Sequence, residues 1–184
     1  MEIIKTKIPD LYIIKPRIFE DNRGYFFESY NQKKFQDHNL NYTFVQDNES
    51  LSSYGTIRGL HYQLAPHAQT KLLRVISGKI LDVVVDIRKN SPTFGQWEST
   101  ELSEDNKLQF LVPKGFAHGF SVLSEKAIVF YKCDSLYNPE SERGINFRDP
   151  SLNIDWKIKP EKANVSPKDK ILPEFAEAEM NFSI

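Results

Sequence analysis

The stretch Lys71-Leu72-Leu73-Arg74-Val75-Ile76-Ser77-Gly78-Lys79-Ile80-Leu81-Asp82-Val83-Val84-Val85-Asp86-Ile87-Arg88 decides the fold class. Two runs rich in Val, Ile and Leu, Lys71 to Ser77 and Ile80 to Arg88, flank Ser77-Gly78-Lys79. Short apolar runs of this kind read as strands, and a glycine between them reads as a turn. A two-residue loop there predicts a hairpin with Lys71 on one face beside Asp82, Val84 and Asp86. A second pair, His118 to Leu123 and Ala127 to Cys133, meets at Ser124-Glu125. The same loop length sets His118 opposite Tyr131 on one side of a sheet. A lysine, two carboxylates, a histidine and a tyrosine then share one interior. Charged groups seldom enter a core without a partner or a function, so that interior is a candidate site.

Outward from this centre, aromatic, β-branched and turn-forming residues recur at short spacing from Tyr12 to Tyr137. The pattern predicts an all-β antiparallel sandwich or barrel with a few short peripheral helices. Helices are predicted over Gln32 to His38, capped by Asn31, and in the acidic tail from Pro173 to Glu179. Pro160, Pro167 and Pro173 predict a C-terminal segment that wraps the barrel rather than extending it. There is no repeat or linker, and 184 residues suit one domain over 1–184.

Composition narrows the function. Apolar residues make up 40% and charged residues 27%, as in ordinary globular proteins. The net charge of −1 gives no global attraction to nucleic acid or to an anionic membrane. An anionic ligand therefore needs a local cluster of cations. A lone cysteine, Cys133, allows neither an intramolecular disulfide nor a thiolate metal cage. Met1-Glu2-Ile3-Ile4-Lys5 lacks the apolar core of a signal peptide, and no stretch is long and apolar enough to span a bilayer, so a cytoplasmic location is expected.

Two histidines carry the chemical signal. His61 lies in Arg58-Gly59-Leu60-His61-Tyr62-Gln63, where an extended backbone points His61 and Gln63 the same way. His118 lies in Pro113-Lys114-Gly115-Phe116-Ala117-His118-Gly119-Phe120, which resembles the second motif of cupin barrels, where the histidine often binds metal. The first cupin motif has a further histidine two residues after the first, and Gln63 stands there instead. Two histidines without a third ligand make a poor transition-metal site, which favours a metal-free reading. No glycine-rich loop of the Walker or Rossmann type is present, so ATP- and NAD-dependent chemistry lose support. Arg23, Arg58 and Lys168 suit diphosphate oxygens. His38 and His67 sit in polar surroundings and read as surface residues.

Six blocks in order resemble the dTDP-4-dehydrorhamnose 3,5-epimerase family over nearly the whole chain. They are Asp21 to Tyr30 (DNRGYFFESY), Phe44 to Asn48 (FVQDN), Arg58 to Gln63 (RGLHYQ), Val85 to Gly95 (VDIRKNSPTFG), Pro113 to Phe120 (PKGFAHGF) and Tyr137 to Ile145 (YNPESERGI). The resemblance implies a cupin-type jelly-roll barrel, a homodimer, no cofactor, and a thymidine diphosphate sugar substrate in rhamnose synthesis. It puts the catalytic base on His61 with Asp169 as its carboxylate partner, the catalytic tyrosine on Tyr131, and the lysine beside the sugar ketone on Lys71. It assigns substrate binding to Arg23, Glu28, Gln46, Asp47, Asn48, Arg58, His118, Glu142 and Lys168. Phe26, with Phe27 and Tyr137, offers a ring to stack on a base, and Asp82 stands behind the site.

These groups suit one reaction. Carbons 3 and 5 flank a C4 ketone, so either C–H can be lost to give an enolate. Inversion needs a base on one ring face and an acid on the other. An imidazole, ordinarily titrating near pH 6.5, suits the base, a carboxylate fixes its tautomer, an ammonium stabilises the enolate oxygen, and a phenol suits the acid. The rivals are an epimerase of one carbon, a ketoisomerase, a metal-dependent cupin enzyme, and a non-catalytic sugar-nucleotide binding module.

Overall fold

The computed structural model describes all residues, 1–184. Strands β1 (Glu2–Lys5), β2 (Tyr12–Lys15), β3 (Phe19–Asp21) and β4 (Gly24–Phe26) precede helix α1 (Gln32–Gln36). Then follow β5 (Gln46–Ser53), β6 (Thr56–Gln63), β7 (Lys71–Ser77), β8 (Lys79–Asp86) and β9 (Trp97–Ser103). The series continues with β10 (Gln109–Val112), β11 (Phe116–Val122), β12 (Lys126–Cys133), β13 (Glu142–Gly144) and β14 (Asn164–Val165), and ends with helix α2 (Pro167–Lys170). One sheet has the order β1-β2-β10-β7-β12-β5; the facing sheet has the order β13-β6-β11-β8-β9, with β14 added in parallel against β6. This is the expected all-β jelly-roll barrel with short peripheral helices. No helix is long and apolar enough to cross a membrane.

Neither predicted hairpin forms. β7 pairs with β10 and β12, whereas β8 pairs with β11 and β9 in the other sheet. Likewise His118 pairs in register with His61 and Val84, and Tyr131 with Asn48 and Leu73. A type I′ hairpin needs positive φ at both central residues. Only Gly78 has one in the first turn, at 82°, and neither Ser124 nor Glu125 has one in the second. Both turns are corners between sheets, lashed side by side. Lys79 N donates to Ser124 Oγ at 2.8 Å, and Ser124 Oγ donates to the Lys126 carbonyl at 2.6 Å.

The shared interior survives this change of topology because it depends on which residues point inward, not on which strands pair. Along β8 the period of two sends Ile80 and Val84 into a cluster between the sheets, with Leu73, Val75, Phe120 and Val129. Tyr131 packs against that cluster. Lys71 and Asp82 follow the same alternation and point inward. Leu81, Val83, Val85 and Ile87 face the other way, into a second cluster with Ile57, Tyr62, Phe147 and Trp156. Each such buried side chain contributes roughly 1.5–3 kcal/mol. A third cluster of Ile14, Phe35, Leu40, Leu72 and Leu111 seats α1 on the outside of the first sheet.

α1 starts where expected, with Asn31 Oδ1 accepting from Lys34 N at 3.2 Å, and is shorter than the sequence pattern. The predicted helix over Pro173 to Glu179 does not form. Asp149 takes the Phe175 N–H at 2.5 Å, one turn closes from Glu177 N to the Glu174 carbonyl, and Phe175, Ala178, Met180 and Phe182 lie flat on the second cluster. Tertiary burial of those apolar side chains outweighs local helix propensity. The C-terminal segment does wrap the barrel. Its last residues bridge to Lys89, and Asn181 exchanges hydrogen bonds with the Ala65 backbone.

Candidate active site

A cavity of about 580 Å³ opens between the two sheets, lined by His61, Lys71, His118, Tyr131, Arg58 and Lys168 among others. The sheets contribute opposite walls. His61 and Arg58 come from β6 and His118 from β11, while Lys71 and Tyr131 come from β7 and β12 in the facing sheet. Arg58, Lys71 and Lys168 are set against a single lining carboxylate, Asp169, which is already paired with His61. In a chain of net charge −1 this is a local cluster of cations, the kind that concentrates an anionic ligand.

His61 and Arg58 are three residues apart, so a regular strand would put them on opposite faces. The register of β6 on β11 shifts between the pairs His118–His61 and Phe120–Arg58, and the extra residue restores both side chains to the cavity. Gly59 makes the bulge possible. Its φ is +116°, and a Cβ there would lie 2.7 Å from both the Gly119 Cα and the His118 carbonyl oxygen.

His61 Nε2 lies 2.8 Å from Asp169 Oδ1, and the other carboxylate oxygen accepts the Gly59 N–H at 3.3 Å. Burial alone would raise the Asp169 carboxyl; hydrogen bonds from His61, Gly59 and Ser166, with the His61 charge, outweigh it and hold the group below the ordinary range. Asp169 sits on the single turn of α2, where Ser166 Oγ accepts the Asp169 N–H at 3.0 Å and Pro167 opens the helix. Ser166-Pro167-Lys168-Asp169 carries the spacing of a capping box, the sequence signal that would have found this helix and the role of Ser166.

A second dyad lies deeper. His118 Nε2 is 2.9 and 3.0 Å from the two oxygens of the fully buried Asp82. Burial pushes the Asp82 carboxyl up, opposed by His118 and Lys71. Burial pushes the Lys71 ammonium down, opposed by Cys133, Asp82 and Glu142. Burial raises the Tyr131 phenol, with Cys133 adding and Arg58 opposing. Asp86, expected in the same interior, does not line the cavity and is instead held by Arg88, Ser91 and Thr93. No group of three or more His, Cys, Asp or Glu side chains is gathered as a metal ligand set.

The remaining expected residues divide. Gln46, Asn48 and Glu142 line a side opening next to His61, Lys71 and Tyr131. Glu142 receives the Tyr137 hydroxyl at 2.7 Å and Lys168 Nζ at 2.5 Å. Asp47 points to the outer face of β5, where it pairs with Lys132 at 2.8 Å, away from the cavity. Arg23, Phe26 and Glu28 also lie off it. Arg23 pairs with Asp21 on the small β3–β4 ribbon, Phe26 is 67% exposed, and Glu28 binds Asn31 and Lys34. Ser50, whose buried hydroxyl has no partner, and Ser52, which accepts from Arg58 Nε at 3.0 Å, line the cavity without having been singled out by sequence.

Comparison with known proteins places the chain in a family. The family model described as dTDP-4-dehydrorhamnose 3,5-epimerase matches residues 5–177. The dTDP-4-dehydrorhamnose 3,5-epimerase of Shigella flexneri is 49% identical over 180 residues, covering 97% of this chain and 98% of the relative. The crystal structure of that enzyme from Elizabethkingia anophelis superposes with a TM-score of 0.93 at 54% identity, over 96% of this chain and 97% of the other. The Legionella pneumophila 3,5-epimerase, solved in complex with dTDP-4-keto-L-rhamnose, gives 0.92 at 48% identity, over 96% and 93% of the two chains. With the family model matched along almost its entire length, this chain belongs to the dTDP-4-dehydrorhamnose 3,5-epimerase family.

Proposed function

We propose that the protein is an isomerase that converts dTDP-4-dehydro-6-deoxy-D-glucose to dTDP-4-dehydro-L-rhamnose by inverting C3 and C5 in turn, with no cofactor. One observation carries the reading: an imidazole and a phenol reach one cavity from opposite sheets, with an ammonium on the phenol's side. His61 removes a proton from the carbon next to the ketone. Asp169 holds the ring and stabilises the imidazolium that forms. Lys71 stabilises charge developing on the C4 oxygen in a partly dehydrated site. Tyr131, kept protonated by burial, returns a proton from the other face, and the configuration inverts.

Arg58 and Lys168 bind the diphosphate at the cavity mouth, with His118 held by Asp82 as a further polar contact. Gln46, Asn48 and Glu142 serve the side opening. Arg23, Phe26 and Glu28 do not reach the cavity of their own chain, which fits a homodimer in which the β3–β4 ribbon completes the partner's site. Solvent deuterium uptake tests the reaction. In heavy water, NMR of the thymidine diphosphate 4-keto-6-deoxyglucose substrate should show label entering at C3 and C5. Absence of label at both carbons would mean the assigned reaction is wrong. Sedimentation of the purified protein tests the dimer.

A further inference from the structure

Between β12 and β13 the chain crosses the side opening of the barrel as Ser135-Leu136-Tyr137-Asn138, without regular structure. Four consecutive residues there each have a backbone group held by a glutamine side chain. Gln69 Nε2 donates to the Ser135 carbonyl at 2.8 Å, and Gln63 Nε2 to the Leu136 carbonyl at 3.3 Å. Gln46 Oε1 accepts the Tyr137 N–H at 2.9 Å, and Gln63 Oε1 accepts the Asn138 N–H at 2.8 Å. The three glutamines come from different places: the start of β5 in one sheet, the end of β6 in the other, and the connection before β7.

We infer that Gln63, assisted by Gln69 and Gln46, is a positioning residue that fixes Ser135–Asn138 as a strap across the side opening and thereby places Tyr137, Glu142 and Lys168 for substrate. Gln63 is 5% exposed and shares the cavity face of β6 with His61. It is also the register partner of Glu142 on β13. From the strap, the Tyr137 hydroxyl donates to Glu142 Oε2, and the same oxygen accepts Lys168 Nζ. Lys168 adjoins Asp169 on α2, so the strap is joined by side chains to the wall that carries the His61 dyad.

The residue type follows from the bonds. Gln63 uses one acceptor and two donor hydrogens, the second reaching the His67 carbonyl at 2.5 Å. Glutamine supplies that set; glutamate would aim a carboxylate at two carbonyls, and a neutral imidazole has one donor only. Here, at the position where metal-binding cupins carry their second histidine, an amide bolts down a loop.

The kinetic consequence rests on the epimerase reading; the strap itself does not. Gln63→Met and Gln69→Met, similar in volume to the parent, are compared with the unmutated protein by amide exchange of the 134–138 segment and by steady-state kinetics. Exchange of the Tyr137 and Asn138 amides should rise. KM should increase roughly two- to tenfold in Gln69→Met, which loses one hydrogen bond, and by at least as much in Gln63→Met, which loses three. Deuterium entry at C3 and C5 under saturating substrate should stay within about threefold, since the chemical groups are untouched. Unchanged amide exchange and unchanged KM in both variants overturn the assignment, as does a fall in turnover at constant KM. Should Gln63→Met fail to fold, Gln69→Met, which loses only the Ser135 bond, carries the test. An unmutated protein that takes up no deuterium would sink the epimerase reading instead, and amide exchange would still judge the strap.

Discussion

His61 and Asp169 lie 108 residues apart in sequence and 2.8 Å apart between Nε2 and Oδ1. The bond occupies one imidazole nitrogen: with Nε2 turned to the carboxylate, Nδ1 is the nitrogen available for the proposed proton transfer. It also ties the one-turn helix α2 to β6, so that imidazole and carboxylate are held by two separate elements.

Asp169→Asn should therefore lower kcat by about 10²–10⁴, the usual scale of general acid–base assistance. KM should change little. The carboxyl is held below its ordinary range in the folded protein, so its contribution to stability is present above the unfolded value near 3.9 and is lost as pH falls through the folded one. Asp169→Asn should thus flatten the acid limb of a stability–pH curve measured by urea unfolding.

Replacing the base or the ammonium separates binding from chemistry. His61→Asn and Lys71→Ala should each cost at least about 10²–10³ in turnover. Calorimetric titration with the nucleotide sugar should show affinity retained, because neither group is assigned to the diphosphate. Full activity in His61→Asn would refute its role.

Tyr131→Phe removes the proton source on the facing sheet and leaves the base in place. Net epimerisation should fall by about 10²–10⁴. Solvent deuterium should still enter at one carbon, with the configuration there retained. NMR of the recovered substrate distinguishes this from a variant that has simply lost binding, which would exchange nothing.

Gly59→Ala attacks the bulge that turns Arg58 and His61 to the same side. The φ of +116° costs a side chain about 1–3 kcal/mol, and contact with Gly119 and His118 adds about 1–3 kcal/mol of overpacking. Denaturant unfolding should show that loss, and any folded fraction should turn over poorly because His61 is displaced.

Asp86→Asn should destabilise by about 1–3 kcal/mol, because Arg88 stays buried with its Asp86 partner neutralised and only Asp10 and the Pro9 carbonyl left to hold it. Burial raises the Asp86 carboxyl, but Arg88, Ser91 and Thr93 overcome it and hold it low. The stabilisation is therefore full above the unfolded value near 3.9 and fades as pH falls toward the folded one. Thermal melts from pH 7 to pH 3 should converge for the variant and its parent. Turnover at neutral pH should be unaffected where the variant is folded, since the cluster lies away from the cavity.

Local sequence was enough to fix several things about this protein. The Val-, Ile- and Leu-rich run through Ile80–Ile87 specified a strand, and alternation along it put Asp82 on the face of Ile80 and Val84; Lys71 and Tyr131 were placed in the same interior through two hairpin registers that do not form, and they reach it from the facing sheet. Side-chain direction is a property of each strand alone, so it survives any pairing. The family resemblance that the ordered motif blocks carry pointed to His61, Asp169, Lys71 and Tyr131, and all four line one cavity.

Tertiary structure decided which strands pair. Ser77-Gly78-Lys79 and Ser124-Glu125 are corners between sheets, not hairpin turns, because strands β8 and β11 gain more by lying at the centre of a sheet than by folding back on their neighbours. It also decided that Asp47, Arg23, Phe26 and Glu28 stand away from their own chain's cavity, that the acidic tail lies flat on the second cluster through its apolar side chains, and that Gln63 reaches across to a loop more than 70 residues away. Those outcomes depend on contacts between segments distant in sequence, and no local pattern encodes them.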